Sequence, residues 1–218
     1  MIFNFILNSF LSYLIGSLSG SILIGKLLKV DVRKKGSGNA GATNTFRVLG
    51  LKIAIAVFIF DCFKGFFATY AIGSLFLLSD VINMNLNMPY QLYNIILCGI
   101  FVIIGHSYPI FHNFKGGKGA ATKLGVLIAI FPIGAINMLI IWIIVLIFSG
   151  YVSLSTIIAS FSLFLNVYFL YPEGLNSIFG YFSIVLIVFI LFTHRTNIKR
   201  IIDGTENRFD KIRLFKSN

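Results

Sequence analysis

The chain has 218 residues, 57% of them hydrophobic and only 11% charged, with a formal net charge of +11. A soluble domain carries roughly 25% charged residues. This composition therefore excludes an ordinary soluble fold and places most of the surface in lipid. Nucleic acid is not needed to explain the basic charge, because Lys and Arg gather in the cytoplasmic loops of membrane proteins and meet anionic headgroups there.

A helix of about 20 apolar residues crosses a bilayer core. Residues 3–25 read as the first span, and the absence of a basic stretch before them predicts a retained helix rather than a cleaved leader. A basic segment with Lys26, Lys29, Arg33, Lys34 and Lys35 follows, then the loop GSGNAGATNTFR from Gly36 to Arg47. Residues 53–78 read as the second span, with Asp61 and Lys64 inside it. A turn without Lys or Arg occupies 79–90, and the third span covers 91–111. A second loop, KGGKGAATK, runs from Lys115 to Lys123.

From 124 to 172 no residue is charged. Those residues are too many for one crossing at 1.5 Å rise per residue. The segments 124–148, 151–171 and 177–193 read as spans, followed by a basic tail. The three basic segments (26–52, 115–123 and the tail) belong on the cytoplasmic side, with the N-terminus outside. An even number of crossings must then separate Lys123 from Arg195. Pro132 supplies the extra break by dividing 120–148. The expectation is an all-α, polytopic membrane helix bundle of about seven spans, with five as the alternative, forming one domain over 1–218 with a cytoplasmic C-terminus.

The loops carry the candidate chemistry. Gly36, Gly38 and Gly41 bare the backbone and admit positive φ. Successive amides can then form an anion nest, with Ser37, Asn39, Thr43 and Asn44 as further donors and Arg47 as a fork suited to phosphate. In the second loop Gly116, Gly117, Gly119, Lys118 and Thr122 resemble a phosphate loop in chemistry. It is not a Walker A motif, since His112 stands where that pattern needs glycine. In the tail, His194 and Asn197 lie three apart and share a helix face, with Glu206 beyond. Gly16 and Gly20 read as a helix-packing pair, Asp61 and Lys64 as a neutralising pair, and His106 and His112 as loop or interface histidines. Cys62 and Cys98 match no metal or redox spacing and read as small buried apolar groups. No metal cluster and no cofactor are expected.

These motifs, in order, resemble the bacterial acyl-phosphate:glycerol-3-phosphate acyltransferases: SGNAGATN with Arg47, HSYPIFHNFKGGKGAAT at 106–122, SGYVSLS at 149–155, and HRTNIKR with GTEN at 194–207. Gly150 departs from the pattern, since a basic residue is expected there. The resemblance covers nearly the whole chain. It implies a multi-pass enzyme of the bacterial inner membrane, active at its cytoplasmic face and without an obligate partner subunit. Such an enzyme moves a fatty acyl group from acyl phosphate to the 1-hydroxyl of glycerol 3-phosphate, giving lysophosphatidic acid and phosphate at the start of phospholipid synthesis. Ser37, Gly38 and nearby amides, with Ser153, would take the acyl phosphate, and Arg47, Lys118, His194 and Asn197 the acceptor. The hydroxyl proton would pass to the donor phosphate or to His194. No His precedes an Asp by four residues in this chain, so the His/Asp general-base route of other glycerolipid acyltransferases is excluded. The rival class is a transporter or channel for an anionic phosphorylated metabolite. That function needs polar groups near the bilayer midplane, and the uncharged 124–172 segment supplies none.

Overall fold

The computed structural model describes residues 2–75, 88–171, 173–210 and 214. Residues 76–78 of the expected second span and most of the turn without Lys or Arg after it lie outside the described residues. Contacts divide the chain into two compact units, Met1–Ile130 and Phe131–Asn218.

In the first unit the expected span 3–25 is two helices, α1 (Ile2–Gly16) and α2 (Gly20–Leu27), bent by 41°. Continuous apolar composition predicted one rod. The hydroxyl of Ser17 donates back to the Tyr13 carbonyl at 2.9 Å and itself accepts from the Ile110 amide at 3.4 Å. This serine back-bonding loosens a helix where tertiary partners can take its end groups. After the Gly36–Arg47 loop come α3 (Ala42–Leu49) and α4 (Leu51–Phe67), the latter continued by a π turn at Ala68–Ile72. Then follow α5 (Met88–Ser107), a 3-10 turn at Ile110–His112, and α6 (Ala120–Ile130).

Polarity runs inside out. On α1, Asn8 is 6% and Ser12 0% exposed, while Ile2 is 75% and Phe3 72% exposed. A helix that buries its polar stripe and shows its apolar one is solvated by lipid. α1 packs against α5, with Gly16 against the Val102 carbonyl and Gly105 against the Tyr13 carbonyl. Small residues at crossings let helix backbones approach closely in membranes. α4 and α6 cross in the same way at Gly65 and Gly125, and a Cβ on Gly125 would overlap the Cys62 carbonyl. Between α1 and α5 lies an apolar cleft of about 570 Å³, lined by Phe5, Ile6, Phe10, Tyr13, Leu97 and Phe101 among others.

The second unit holds α7 (Pro132–Ser149), α8 (Val152–Leu170), α9 (Ile178–Thr193) and α10 (Arg195–Ile202). The helix break expected at Pro132 is present, with the proline in the first turn of α7, where its missing N–H leaves no bond unmade. α8 packs between α7 and α9. It buries Ser155, Thr156, Ser160 and Ser162, and each hydroxyl donates to a carbonyl three or four residues back. Trp142 donates to the Thr156 hydroxyl (3.1 Å) and Asn137 to Asn166 (2.5 Å), linking α7 to α8. Ser177 caps α9 by accepting from the Gly180 amide.

Among the described residues, three stretches are long and apolar enough to cross a bilayer unaided: Tyr90–His112, Pro132–Ser149 and Val152–Leu170. The number is five if the bent pairs Ile2–Gly16/Gly20–Leu27 and Ile178–Thr193/Arg195–Ile202 each count once. Cys62 and Cys98 are free thiols; Cys98 is buried as expected, whereas Cys62 is only half-buried.

Candidate active site

The first loop is folded by its own side chains. Asp31 accepts from the Arg33 amide at 3.0 Å and caps the turn Val32–Lys34. The Arg33 guanidinium forks onto the same carboxylate through Nε (3.0 Å) and a terminal nitrogen (3.2 Å). Those bonds hold the Asp31 carboxyl below its ordinary pKa. The other terminal nitrogen of Arg33 donates to the His112 carbonyl at 3.4 Å and ties the first loop to the second.

Asn44 is fully buried beneath this loop. Its Oδ1 accepts from the Ser37 amide at 2.8 Å, and its Nδ2 donates to the carbonyls of Val32 (2.8 Å) and Lys35 (3.1 Å). Gly36 has φ +60°, and a Cβ there would overlap the Asn44 oxygen. The loop thus requires glycine at 36 for both conformation and space. Asn44 is the loop's internal template. Around it Ser37, Asn39, Gly41 and Thr43 are half-buried and Gly38 is exposed. α3 starts at Ala42 with Gly41 as its cap, a residue with no side chain to accept from the first amides. Its N-terminus carries partial positive charge, and half-buried Arg47 stands one turn along.

The second loop hangs from the end of α5. Gly116 donates to the Ser107 carbonyl (3.2 Å) and Gly117 to the His106 carbonyl (3.1 Å). Both amides are therefore engaged with protein. Lys115 is exposed and Lys118 half-buried, and Gly119, buried at φ +81°, leads into α6. Thr122 is buried, its hydroxyl without a hydrogen-bond partner. The two loops meet where Gly117 packs against the Ala40 carbonyl.

In the second unit Ser153, Asn197 and Arg200 converge on Glu206. Ser153 Oγ (2.8 Å) and Asn197 Nδ2 (2.6 Å) donate to one carboxylate oxygen, and Arg200 Nε (2.7 Å) donates to the other. Burial pushes the Glu206 carboxyl up, but these three hydrogen bonds outweigh it and hold the group below its ordinary pKa. His194 is buried with Nδ1 at 2.9 Å from the Ile190 carbonyl. A carbonyl only accepts, so Nδ1 carries the hydrogen and Nε2 is the acceptor of the neutral ring. Gly150, where a basic residue was expected, ends α7 with φ +76°. The turn still has a cation: Arg208 donates to the Ser149 carbonyl at 3.0 Å and lies 5.1 Å from the Tyr151 ring. Sequence reasoning did not single out Arg33, Arg200 or Arg208. Arg33 was read only as part of the basic segment, Arg200 only as the last residue of HRTNIKR, and Arg208 directly follows GTEN. Among the described residues no group of His, Cys, Asp and Glu is arranged to hold a metal.

The comparisons with known proteins agree with one another. A family model described as glycerol-3-phosphate acyltransferase matches residues 6–204. The chain is 41% identical over 204 residues to glycerol-3-phosphate acyltransferase 2 of Bacillus anthracis, covering 93% of this chain and 98% of that one. It is 39% identical to the glycerol-3-phosphate acyltransferase of Aquifex aeolicus over 199 residues, covering 91% of this chain and 95% of that one. It is similar to the crystal structure of PlsY (YgiH), an integral membrane glycerol 3-phosphate acyltransferase, in its glycerol 3-phosphate form. The TM-score is 0.79 at 36% identity, with 94% and 95% of the two chains covered. The lysophosphatidic acid form of that protein matches with a TM-score of 0.76 at 35% identity, with 94% of this chain and 95% of that one covered. A match running the length of both chains, over motif residues folded into the two loops and the Glu206 cluster, identifies this chain as a member of the glycerol-3-phosphate acyltransferase family.

Proposed function

We propose that this protein transfers a fatty acyl group from acyl phosphate to the 1-hydroxyl of glycerol 3-phosphate, releasing lysophosphatidic acid and inorganic phosphate. The observation that carries the reading is the Asn44-templated first loop with Arg47 beside it, in a chain that matches this acyltransferase family from residue 6 to residue 204. The hydroxyl oxygen attacks the acyl carbon, the bond from that carbon to the phosphate oxygen breaks, and phosphate departs with the electron pair. The hydroxyl proton goes to a departing phosphate oxygen, or to His194 Nε2. Phosphate is already a good leaving group, so positioning and charge stabilisation suffice.

Ser37, Gly38 and the neighbouring backbone take the acyl phosphate, with Asn39, Gly41 and Thr43 at the rim and Gly36 and Asn44 shaping the loop. Arg47 and Lys118 take the phosphate of the acceptor, with Gly116, Gly117, Gly119 and Thr122 holding the lysine in place. His194 and Asn197 are assigned to the acceptor by the motif match, steadied by Glu206. Ser153 and Arg208 add a hydroxyl and a cation at the turn that Gly150 leaves neutral.

The protein works as a monomeric single domain over 1–218, in the bacterial inner membrane, with its chemistry at the cytoplasmic face. Adding α4 with its π turn, and the short α6, to the five possible crossings gives seven, with the N-terminus outside. None of the comparisons favours the transporter alternative. The test is purified protein in detergent with labelled glycerol 3-phosphate and palmitoyl phosphate. Labelled lysophosphatidic acid should appear without any partner. No product from palmitoyl phosphate, or equal product from palmitoyl-CoA, overturns the reading. Membrane-impermeant labelling of cysteines introduced at Asn39, Lys118 and Asn197 should succeed only from the cytoplasmic side.

A further inference from the structure

Three ionisable groups are buried together behind the loops: Asp61 and Lys64 on α4 and His106 near the end of α5, at 1%, 3% and 3% exposure. Lys64 Nζ sits among four polar groups, the carbonyls of Gly16 (3.0 Å) and Leu18 (2.6 Å), Asp61 Oδ1 (2.9 Å) and His106 Nδ1 (3.0 Å). The two carbonyls belong to the break between α1 and α2. Asp61 Oδ1 also lies 3.5 Å from the Gly20 amide, at the start of α2. The ion pair therefore lies across the break with its charges matched to the helix ends: the cation at the C-terminal carbonyls of α1, the anion at the N-terminus of α2.

Stability alone does not account for this arrangement. A buried ion pair is often no better than well-packed apolar residues, and Asp61 Oδ2 has no hydrogen-bond partner. The third member shows where the network leads. His106 Nδ1 lies 3.0 Å from Lys64 Nζ and 3.5 Å from Asp61 Oδ1, so this nitrogen faces the ion pair and Nε2 lies at the other edge of the ring. That edge of the ring packs against Gly117, so closely that a Cβ at 117 would overlap Nε2. The His106 carbonyl accepts from the Gly117 amide at 3.1 Å. Gly117 precedes Lys118 and touches Ala40 of the first loop.

We propose that Asp61, Lys64 and His106 are positioning residues for acceptor binding. Lys64 fixes the His106 ring, the ring and its carbonyl fix Gly117, and Gly117 sets where Lys118 stands against the first loop. Because the inference rests on the acyltransferase reading, the parent protein must first form lysophosphatidic acid. An inactive parent would refute that reading, whereas the variants below test the network.

His106→Asn keeps a polar group toward Lys64 and removes the ring edge that meets Gly117. The expected result is a KM for glycerol 3-phosphate raised by about tenfold or more, with an unchanged KM for palmitoyl phosphate and parent-like thermal stability in detergent. The paired variant Asp61→Asn/Lys64→Met removes both charges without leaving one alone, and should shift the same KM. A glycerol 3-phosphate KM within about twofold of the parent in either folded variant overturns the proposal. So does a loss confined to kcat or to the yield of folded protein, which is what a merely structural role would give.

Discussion

Glu206 gathers groups from two helices, so replacing it by glutamine is the most informative single change in the second unit. Glutamine has nearly the same shape. Its oxygen can still accept from Ser153 and Asn197, but its amide then points N–H groups at the Arg200 donor. Two charge-assisted bonds become neutral ones, each about half as strong, which removes roughly 0.5–1 kcal/mol apiece. The Arg200 pair, whose arginine is 32% exposed, adds at most about 1 kcal/mol after solvent screening. The expected loss is about 2 kcal/mol at neutral pH. For a chain of this size that lowers the thermal midpoint by about 4–8 °C. The pH dependence follows from the direction of the shift. The carboxyl lies below its ordinary value of 4.5 in the folded protein, so its contribution is fully present above that value and is lost as the pH falls through the lowered folded value. The assay is thermal unfolding of parent and Glu206→Gln in detergent, stepped from neutral into the acid range. The gap should be widest at neutral pH and close as the parent protonates. Equal midpoints at neutral pH, or a gap that stays constant into acid, would refute the reasoning.

Arg47→Ala and Lys118→Ala should each reduce turnover with glycerol 3-phosphate by about a hundredfold or more, consistent with losing a charge-assisted phosphate contact of about 3 kcal/mol. Both proteins should insert normally, and parent-like turnover in either removes that residue from the site. Ser177→Ala removes the oxygen that caps α9 and should cost about 1 kcal/mol, read as a lower thermal midpoint with KM unchanged. Gly125→Ala forces a methyl into the Cys62 carbonyl. It should destabilise the protein by about 1–3 kcal/mol, and a parent-like midpoint would mean that α4 and α6 do not cross so closely. Adding a chelator to the standard assay should leave turnover unchanged, whereas inhibition that an added divalent cation reverses would point to a metal in the reaction.

How far the sequence could be read depended on how local the cause was. The break at Pro132 was legible because proline carries its own reason, a missing N–H and a fixed φ. The break at Ser17–Ser19 was not, because those residues sit within an unbroken apolar window. What accommodates the break is a lysine and an aspartate on α4, more than 40 residues away. The phosphate chemistry of the loops was legible from residue types. Which way each donor turns was not: Asn44 looks the same as Asn39 in composition, yet it lies inside the loop with both ends of its amide on backbone. The convergence of Ser153 on Glu206 spans 53 positions, and no periodicity records such a pairing. The motif match brought both residues forward as candidates without saying that they touch.

The two units solve one problem in the same way. A loop that presents glycines and cations to a phosphoester must be held still, or its binding energy goes into ordering the loop instead of the reacting atoms. Such a loop has few apolar side chains to anchor it. Each unit instead sets an ionised side chain behind the polar segment and lets it collect loose groups. Lys64 collects two carbonyls, a carboxylate and an imidazole, and Glu206 collects a hydroxyl, an amide and a guanidinium. The signs are opposite because the groups are. Around Lys64 most of the neighbours accept, at a helix C-terminus and a carboxylate. Around Glu206 every neighbour donates. In low dielectric each such hub holds its partners more firmly than it would in water. A chain with few charges therefore sets some of them behind its polar segments, where each holds several backbone and side-chain groups at once.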